Sequence, residues 1–477
     1  MNVSDLYLEY AGTRPDSVQP LTPAGSSRRY FRLKKHGQPS LIGVEGVDLR
    51  ENNAFIYLSR HLRNIGANVP EVLAVSADGM TYLVTDLGDD QLINHLDDRP
   101  LLEEAMRQLA LVHHAAPIDM KWEICFPVSR MDKRAVLWDL NYFKYSFLNT
   151  EGIAYSEPLL EDDFLRLADR CEAICDSHGT LMLRDFQSRN VMVNTDGRVY
   201  LIDYQGARLG PGAYDLASFL WQAKAGFPDE TRRSLIDTYV DEFQRLGGQL
   251  ERKDVHTLVK EMALLRTLQV LGAYGLRGRF QQKKHFLDSI PAAIENLRSL
   301  LTPKITAAYP YLCEVAARVI EKETSRGSVR QSVDNTFDGL TIRVTSFSFK
   351  KGMPADPSGN GGGFVFDCRA MDNPGRYEPY KRLTGLDAPV REFLESRGEI
   401  QLLLEDAERM VDRAVDNYLE RGFTSLSVSF GCTGGQHRSV YCAQAMAEHL
   451  HDKYPSVRVL LDHREQSISD TYLPERK

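Results

Sequence analysis

The sequence lacks a long apolar run and a beginning that would direct export. No stretch of the 477 residues reaches the length of a membrane-spanning helix. The segment from Met1 to Tyr10 has neither the basic start nor the apolar core of a signal peptide. We therefore expect a cytoplasmic protein with no membrane partner.

Cysteine and net positive charge are also scarce. The chain has 7 cysteines at irregular spacing, and an odd number indicates reduced thiols and argues against a disulfide framework. The formal net charge of -8 argues against a dominant nucleic-acid role, because such proteins usually carry a basic surface. With 43% hydrophobic and 26% charged residues, a globular chain of two or three domains is expected.

Three polar residues between Leu181 and Ala207 have the spacing of a phosphoryl-transfer site. Asn190 follows Asp185 by five positions, and a predicted hairpin with its turn at residues 194–197 then brings Asp203 back beside them. Phosphoryl transfer requires a carboxylate for the proton of the acceptor hydroxyl and oxygen ligands for magnesium. Asp185 fits the first role and the other two fit the second, although an ordinary polar hairpin is the simpler alternative.

This pattern resembles the catalytic core of the protein-kinase-like superfamily, with its D-x-x-x-x-N loop and a later metal-binding Asp. Leu183 replaces the usual His, and Asp203-Tyr204-Gln205 replaces Asp-Phe-Gly. These variants are similar to the aminoglycoside phosphotransferase branch, and more narrowly to the anomeric N-acetylmuramate and N-acetylglucosamine kinases of cell-wall recycling. The resemblance implies an α+β two-lobed kinase-like domain that uses ATP and Mg²⁺ on an amino sugar. In it, Asp185 would be catalytic, and Asn190 and Asp203 would bind the metal.

The region before this loop is typical of the small lobe of a kinase. Two predicted strands follow a loop whose small and basic residues suit phosphate binding, although a basic surface loop explains them equally well. A later pair of strands ends at a predicted hinge, where adenine would contact the backbone. The predicted nucleotide contacts are Ser26, Ser27, Arg28, Arg29, Asp86 and Leu87.

The second predicted strand, residues 40–44, lacks the lysine that most kinase-like enzymes place there to contact phosphate. Arg28, Arg29 or Arg32 is expected to replace it, and the sequence does not decide which. Glu51, on a predicted helix from about residue 50 to 64, is a candidate partner for that cation.

Three further segments lead to structural expectations. Residues 138–145 mix aromatic and polar side chains, which suits a sugar site or an amphipathic helix equally. Asp215 is expected to cap a helix and brace the catalytic backbone. The cluster at residues 276–284 contains two arginines and two lysines that could meet an anionic substrate, although a solvated face is the commoner explanation.

A polar, Ser-rich segment predicts a linker at residues 324–336. It separates a kinase-like domain, residues 1–323, from a small α/β domain, residues 337–477. In the latter, a predicted strand runs directly into the loop 431–439, which opens a helix. A strand, a glycine-containing loop and a helix N-terminus together favour an anion. The spacing of Cys432 and Arg438 also equals the C-x5-R loop of cysteine-dependent phosphatases, so the residues alone leave binding and hydrolysis open.

Four segments in order, SFSFKKGMP, FVFDCRAMDNP, LTGLDAPV and GCTGGQHRSVY, resemble the C-terminal domain of the RNase adapter protein RapZ. The resemblance implies binding of glucosamine 6-phosphate, a phosphosugar. The implied contacts are Lys351, Arg369, Asn373, Cys432, Thr433, Gly434, Gly435 and Arg438.

This chain departs from that family in three ways. Lys351 replaces a family His, residues 466–477 replace a strongly basic tail, and the P-loop ATPase of that family is absent. The changed tail argues against RNA binding. The sequence thus predicts an ATP- and magnesium-dependent small-molecule kinase fused to a phosphosugar-binding regulatory domain. The alternatives are a metabolite-sensing adapter with little or no turnover and a Cys432-dependent phosphatase. The oligomeric state is not predicted.

Overall fold

The computed structural model describes residues 1–21, 28–281, 283–331, 337–354 and 363–474. It divides into two compact units, the first comprising Met1–Gln281 and His285–Gly327 and the second chiefly Ser328–Lys477. Across the described ranges, no helix is long and apolar enough to cross a membrane.

In its described part, the first unit contains thirteen α-helices and nine strands, apart from short 3₁₀ and π segments. In chain order they are α1 (Val3–Ala11), β1 (Ser17–Leu21), β2 (Arg29–Lys34), β3 (Leu41–Glu45), α2 (Leu49–Asn64), β4 (Val72–Val75), β5 (Thr81–Thr85), α3 (Arg99–Ala115), α4 (Lys133–Phe143), α5 (Asn149–Glu151), α6 (Glu157–His178), β6 (Gly179–Met182), β7 (Val191–Val193), β8 (Val199–Leu201), β9 (Arg208–Pro211), α7 (Gly212–Leu220), α8 (Asp229–Arg245), α9 (Arg252–Tyr274), α10 (Lys284–Leu287), α11 (Ile290–Leu300), α12 (Pro303–Ala308) and α13 (Pro310–Gln331).

The small lobe is a five-stranded antiparallel sheet in the order β1-β2-β3-β5-β4. Helix α1 packs on the sheet so closely that a Cβ added to Gly43 in β3 would lie 2.8 Å from Val3. Helix α2 begins at Asp48, whose side chain accepts hydrogen bonds from the amides of Arg50 and Glu51. This capped start fixes the position of Glu51 in the first turn of the helix.

The large lobe is mainly helical and shares one hydrophobic core with α2 and part of the small-lobe sheet. Two short antiparallel pairs, β6 with β9 and β7 with β8, carry the segment 181–207, which contains the candidate catalytic residues. The ring of Phe55 in α2 stacks on Tyr204 at 5.3 Å and on Tyr82 at 5.2 Å, so α2 packs against both the catalytic segment and the sheet. The predicted α+β two-lobed, kinase-like fold is confirmed.

Helix α13 continues to Gln331, which differs from the predicted linker at residues 324–336. Polar residues are compatible with a helix once its first turns are packed, since propagation costs less than nucleation. The absence of apolar periodicity therefore did not mark the end of the helix. Residues 332–336 lie outside the described residues.

Two segments with ambiguous sequences are helical. Residues 138–145 lie in α4 and in a π-helix at Lys144–Leu148 that continues it. Another π-helix, Gly275–Phe280, continues α9. A Cβ added to Gly275 would lie 1.9 Å from the carbonyl oxygen of Ser146, so the two backbones meet closely only because this residue is glycine.

The second unit contains β10 (Thr341–Ser348), β11 (Phe364–Asp367), α14 (Ala388–Glu395), α15 (Glu399–Glu420), β12 (Ser425–Cys432), α16 (Arg438–Lys453), β13 (Arg458–His463) and β14 (Ile468–Tyr472). Its sheet has the order β11-β12-β10-β13-β14, with parallel pairing except between β13 and β14. The predicted small α/β domain is confirmed.

Candidate functional site

The loop that carries Asp185 and Asn190 leaves β6 through a strained turn. Arg184 has a φ of 71°, a left-handed conformation that costs a non-glycine residue on the order of 1 to 3 kcal/mol. The carboxylate of Asp215 holds this turn, because its two oxygens accept hydrogen bonds from the amides of Leu183 and Arg184 at 2.6 and 2.7 Å. The ring of His113 also contacts Asp215 at 3.0 Å. The brace expected of Asp215 is therefore present, but the expected cap is not, because Asp215 lies inside the first turn of α7 and the helix begins at Pro211 without a side-chain cap.

Asp185 lies at the end of this turn, with its carboxylate partly open to solvent. Arg266 of α9 donates a hydrogen bond to its Oδ1 at 2.9 Å, and Oδ2 has no hydrogen-bond partner among the described residues. Burial by itself would raise the pKa of Asp185, but Arg266 and Arg184 together hold the pKa below its ordinary value. The carboxylate is therefore ionised at neutral pH, and one of its oxygens has no hydrogen-bond partner in the described part of the chain.

Asn190 and Asp203 lie beside each other because the β7–β8 hairpin closes on the loop. The carbonyl of Asn190 accepts a hydrogen bond from the amide of Ile202 at 3.0 Å, and its Nδ2 donates to Oδ2 of Asp203 at 3.2 Å. The same Nδ2 donates to the carbonyl of Asp185 at 2.8 Å. With its amide nitrogen engaged in this way, Asn190 keeps its Oδ1 as an acceptor.

The carboxylate of Asp203 is crowded by protein although solvent reaches one side of it. Burial raises its pKa, Gln205 and Arg28 oppose that rise, and the nearby Asp185 adds to it. Asp203 also has a φ of 62°, so its backbone is held in a left-handed conformation. The described residues contain no cluster of three or more His, Cys, Asp or Glu side chains suited to a metal. The carboxylate of Asp203 and the amide oxygen of Asn190 are nevertheless oxygen donors of the kind that magnesium prefers, since it keeps several waters and binds few protein ligands.

The three candidate arginines have different partners. Arg28 is buried, and its guanidinium donates to Glu51 of α2 at 2.9 Å and to the hydroxyl of Tyr82 at 3.3 Å. Arg29 is exposed and forms an ion pair with Glu45 at 2.6 Å. Ser26 and Ser27 lie outside the described residues.

Arg32 is bound elsewhere in the small lobe. Its guanidinium donates to Asp86 at 2.7 Å and to Asp89 at 2.7 Å, and Ser40 also donates to Asp86. The Asp86 side chain is thus occupied, so a contact with adenine at Asp86 and Leu87 would use the backbone. Of the three arginines, Arg28 has the carboxylate partner on α2 that the sequence suggested.

The predicted phosphosugar residues follow the carboxyl ends of parallel strands, which lie at one edge of the sheet. Lys351 follows β10 and forms an ion pair with Glu465. Arg369 follows β11, pairs with Asp367 at 2.6 Å, and lies 4.1 Å from the ring centroid of Phe349. Ligands of open α/β sheets bind outside the carboxyl ends of the strands.

Asn373 has a local structural contact. Its Oδ1 accepts a hydrogen bond from the amide of Gly375 at 3.2 Å and caps a short 3₁₀ turn.

The loop after β12 surrounds the thiol of Cys432. The amide of Gly435 donates to Sγ at 3.2 Å, and Oγ of Ser439 lies 3.1 Å away. Burial would raise the pKa of Cys432, but the hydrogen bonds from Ser439 and Gly435 and the charge of Arg438 hold the pKa below its ordinary value. Gly435 has a φ of 69°, and a Cβ there would lie 2.4 Å from Glu465, so only glycine suits this turn.

Arg438 opens α16 and is buried. Its Nη1 donates to the carbonyls of Arg369 and Met371 at 3.1 and 2.6 Å, and its Nε is buried without a hydrogen-bond partner in the described part of the chain. The guanidinium therefore ties the loop after β12 to the segment after β11. Thr433 and Gly434 complete the loop, and the carbonyl of Thr433 accepts a hydrogen bond from Ser348.

Sequence reasoning missed the residues that reach each site from far along the chain. Arg266 pairs with Asp185 from 81 positions away, and Asp139 pairs with Arg184 from 45 positions away. Glu465, which pairs with Lys351, was also missed. No short motif marks such residues, although Asp139 lies in the segment 138–145, which mixes aromatic and polar side chains.

Two protein families match the chain in separate places. Residues 18–252 match the model of the phosphotransferase enzyme family, and residues 340–467 match that of the RapZ C-terminal domain. A curated relative from Acidithiobacillus ferrooxidans, named nucleotide-binding protein, is 42% identical over 136 residues, which are 28% of this chain and 43% of that protein. Another protein of that description, from Paraburkholderia xenovorans, is 30% identical over 182 residues, 38% of this chain and 57% of that protein. The chain thus spans only about half the length of these relatives.

Solved structures similar to this chain include an ethanolamine kinase of Plasmodium vivax and a choline/ethanolamine kinase family protein of Mesorhizobium loti. The first has a TM-score of 0.44 and 13% identity, and covers 64% of this chain and 88% of its own. The second has a TM-score of 0.42 and 16% identity, and covers 64% of this chain and 92% of its own.

Proposed function

We propose that this chain, which joins a domain of the phosphotransferase enzyme family to a RapZ C-terminal domain, is a cytoplasmic ATP-dependent kinase of an amino sugar with a phosphosugar-binding regulatory domain. The observation that carries the proposal is the arrangement of Asp185, Asn190 and Asp203 on one braced loop and hairpin. The carboxylate of Asp185 would accept the proton of the acceptor hydroxyl, and the oxygens of Asn190 and Asp203 would hold magnesium. When bound, magnesium would neutralise charge on the phosphates.

Arg28 supports nucleotide use in place of the missing strand lysine. Its ion pair with Glu51 fixes a guanidinium close enough to Asp203 to lower the pKa of that carboxyl. An arginine so placed offers several donors to phosphate oxygens.

The acceptor class is tested by measuring ATP consumption, with mass detection of products, against N-acetylglucosamine, N-acetylmuramate, glucosamine and an aminoglycoside. We expect phosphorylation of an amino sugar and none of the aminoglycoside. ATP binding without turnover of any acceptor would favour the metabolite-sensing adapter. Turnover of the aminoglycoside alone would contradict the amino-sugar assignment.

A second candidate activity concerns the loop after β12. The lowered pKa of Cys432 and its contacts with Gly435 and Ser439 are features of a nucleophilic thiol, so phosphomonoester hydrolysis is a specific alternative to binding. Part of Arg438 is engaged by backbone carbonyls, which favours a binding role.

One pair of substitutions separates binding from hydrolysis. If the loop binds, Cys432→Ser should keep the affinity for glucosamine 6-phosphate, whereas Arg438→Ala should weaken it by at least about tenfold, because a charged hydrogen-bond donor is lost. Calorimetric titration measures both. Hydrolysis of a generic phosphomonoester by the wild type that disappears in Cys432→Ser would instead establish the phosphatase.

If the second domain regulates the kinase, glucosamine 6-phosphate should change the affinity of the kinase for its acceptor. Typical couplings between sites are about 1 to 3 kcal/mol, so the expected change is about 5- to 150-fold. Kinetic constants are compared for the full-length wild type and Arg438→Ala, each with and without the phosphosugar. Identical constants in all four conditions would show two independent modules.

A further inference from the structure

A buried carboxylate on α4 contacts the residue that precedes the proposed catalytic Asp. Oδ1 of Asp139 accepts a hydrogen bond from Nη2 of Arg184 at 2.9 Å, and the Asp139 side chain is 7% exposed. Its Oδ2 is also buried and has no hydrogen-bond partner within the described ranges. A buried carboxylate with a free oxygen is costly unless positive charge lies nearby.

Arg184 supplies a positive charge in direct contact with Asp139, and a second arginine, Arg208, is close enough to interact with the same carboxylate. Arg208 opens β9 opposite Met182 of β6, is buried, and donates from Nε to the carbonyl of Gly206 at 3.1 Å. No carboxylate forms an ion pair with it among the residues that the structure describes. Burial and the nearby charge of Arg184 lower the pKa of Arg208 to about 10, and the charge of Asp139 opposes this change. Asp139 thus carries a negative charge that acts on both Arg184 and Arg208.

The position of Arg184 connects this cluster to the chemistry. Its backbone has the left-handed φ of 71°, and Asp215 fixes its amide. Asp139 fixes the other end of the same residue, its guanidinium. With both ends of Arg184 held, the direction in which the next residue, Asp185, leaves the turn is determined.

We infer that Asp139 is a positioning residue for phosphoryl transfer, which acts by clamping Arg184. The inference rests on the proposed kinase function for its kinetic consequence. In this role Asp139 does not touch the substrate. It acts through Arg184 to keep the carboxylate of Asp185 directed at the acceptor hydroxyl. It also explains why an aromatic segment that suits a helix carries a buried acidic residue.

The test compares Asp139→Asn with Asp163→Asn in the full-length protein. Asp163 is a suitable control because it is buried in the same unit, accepts a hydrogen bond from the amide of Leu312 at 2.7 Å, and pairs with Arg166. Both substitutions remove a buried negative charge, so both should lower the melting temperature. Only Asp139→Asn should lower kcat, by about 10- to 100-fold, since a small misplacement of a reacting group has effects of this size. The dissociation constant for ATP should remain unchanged.

A second measurement does not require turnover. Hydrogen exchange of the peptide that covers residues 183–190 should become faster in Asp139→Asn and remain at the wild-type rate in Asp163→Asn. Asp139→Glu, which keeps the charge, should recover part of kcat and of the protection. If the two Asn variants lose kcat equally and show equal hydrogen-exchange rates in this peptide, Asp139 only stabilises the fold and the inference is overturned. A wild type that phosphorylates no acceptor would refute the proposed function, and the exchange comparison would still decide whether Asp139 holds the loop.

Discussion

Asp185→Asn is expected to lower kcat by about 10²- to 10⁴-fold, the usual contribution of a positioned general base, while ATP binding persists. In the proposed mechanism Oδ2 of Asp185 accepts the proton of the acceptor hydroxyl, while the other oxygen is held by Arg266. The amide oxygen of an asparagine can still accept the hydrogen bond from Arg266, so the substitution removes the proton acceptor and keeps the arginine paired. Steady-state kinetics and calorimetric titration of ATP measure the two effects separately.

Two further variants make this result specific. Asp203→Asn should weaken magnesium-dependent ATP binding, because its carboxylate lies beside Asn190 among the proposed metal ligands. Asp196→Asn, in the exposed turn of the same hairpin, should behave as the wild type. Wild-type turnover by both Asp185→Asn and Asp203→Asn would remove the kinase proposal.

The pH dependence of kcat should agree with the charges around Asp185. Because Arg266 and Arg184 hold its pKa below the ordinary value, the carboxylate stays ionised at neutral pH and gains a proton only as the pH falls through that lowered pKa. Loss of activity from this group is therefore expected only on the acid side of the ordinary aspartate range.

The parts of the fold and site that the sequence predicts are those set by local chain geometry. The interval between Asp185 and Asn190, the turn near residue 196 and the strand before Asp203 lie within one short segment. Turn residues and alternating apolar residues determine the β7–β8 hairpin, and the hairpin brings the second carboxylate back beside the loop. In the second unit, the strand, glycine turn and helix are likewise adjacent in the chain.

Features that depend on distant packing could not be predicted. Arg266 and Asp139 reach the catalytic loop from α9 and α4, and nothing in their neighbouring residues differs from an ordinary helix. The end of α13 could not be predicted either, because the helix continues to Gln331 although the sequence there shows little apolar periodicity. Composition is thus a weak guide to where a packed helix ends.

The choice among the three arginines near the phosphate loop also depends on tertiary structure. They lie within five residues, and their charges are the same, so the sequence treats them alike. The start of α2 places Glu51 against Arg28, while the hinge carboxylates Asp86 and Asp89 bind Arg32. The packing of the sheet against α2 therefore distinguishes the two residues: Arg28 remains a candidate for the phosphate contact, whereas Arg32 forms a bridge within the small lobe.

Arg28→Ala is therefore expected to weaken ATP binding and lower kcat/KM for ATP by about 10- to 100-fold, as the loss of a charged hydrogen bond predicts. Arg28→Lys should retain part of the affinity, because it keeps the charge near Glu51 but loses the planar set of donors. Arg29→Ala is the matched comparison: its guanidinium is exposed and pairs with Glu45, so a much smaller effect is expected. ATP titration and steady-state kinetics on Arg28→Ala, Arg29→Ala and Arg32→Ala, with melting temperatures to exclude unfolding, decide among the three. A large loss confined to Arg29→Ala or Arg32→Ala, with Arg28→Ala unchanged, would move the phosphate contact to that residue and leave the Arg28–Glu51 pair as a structural bridge.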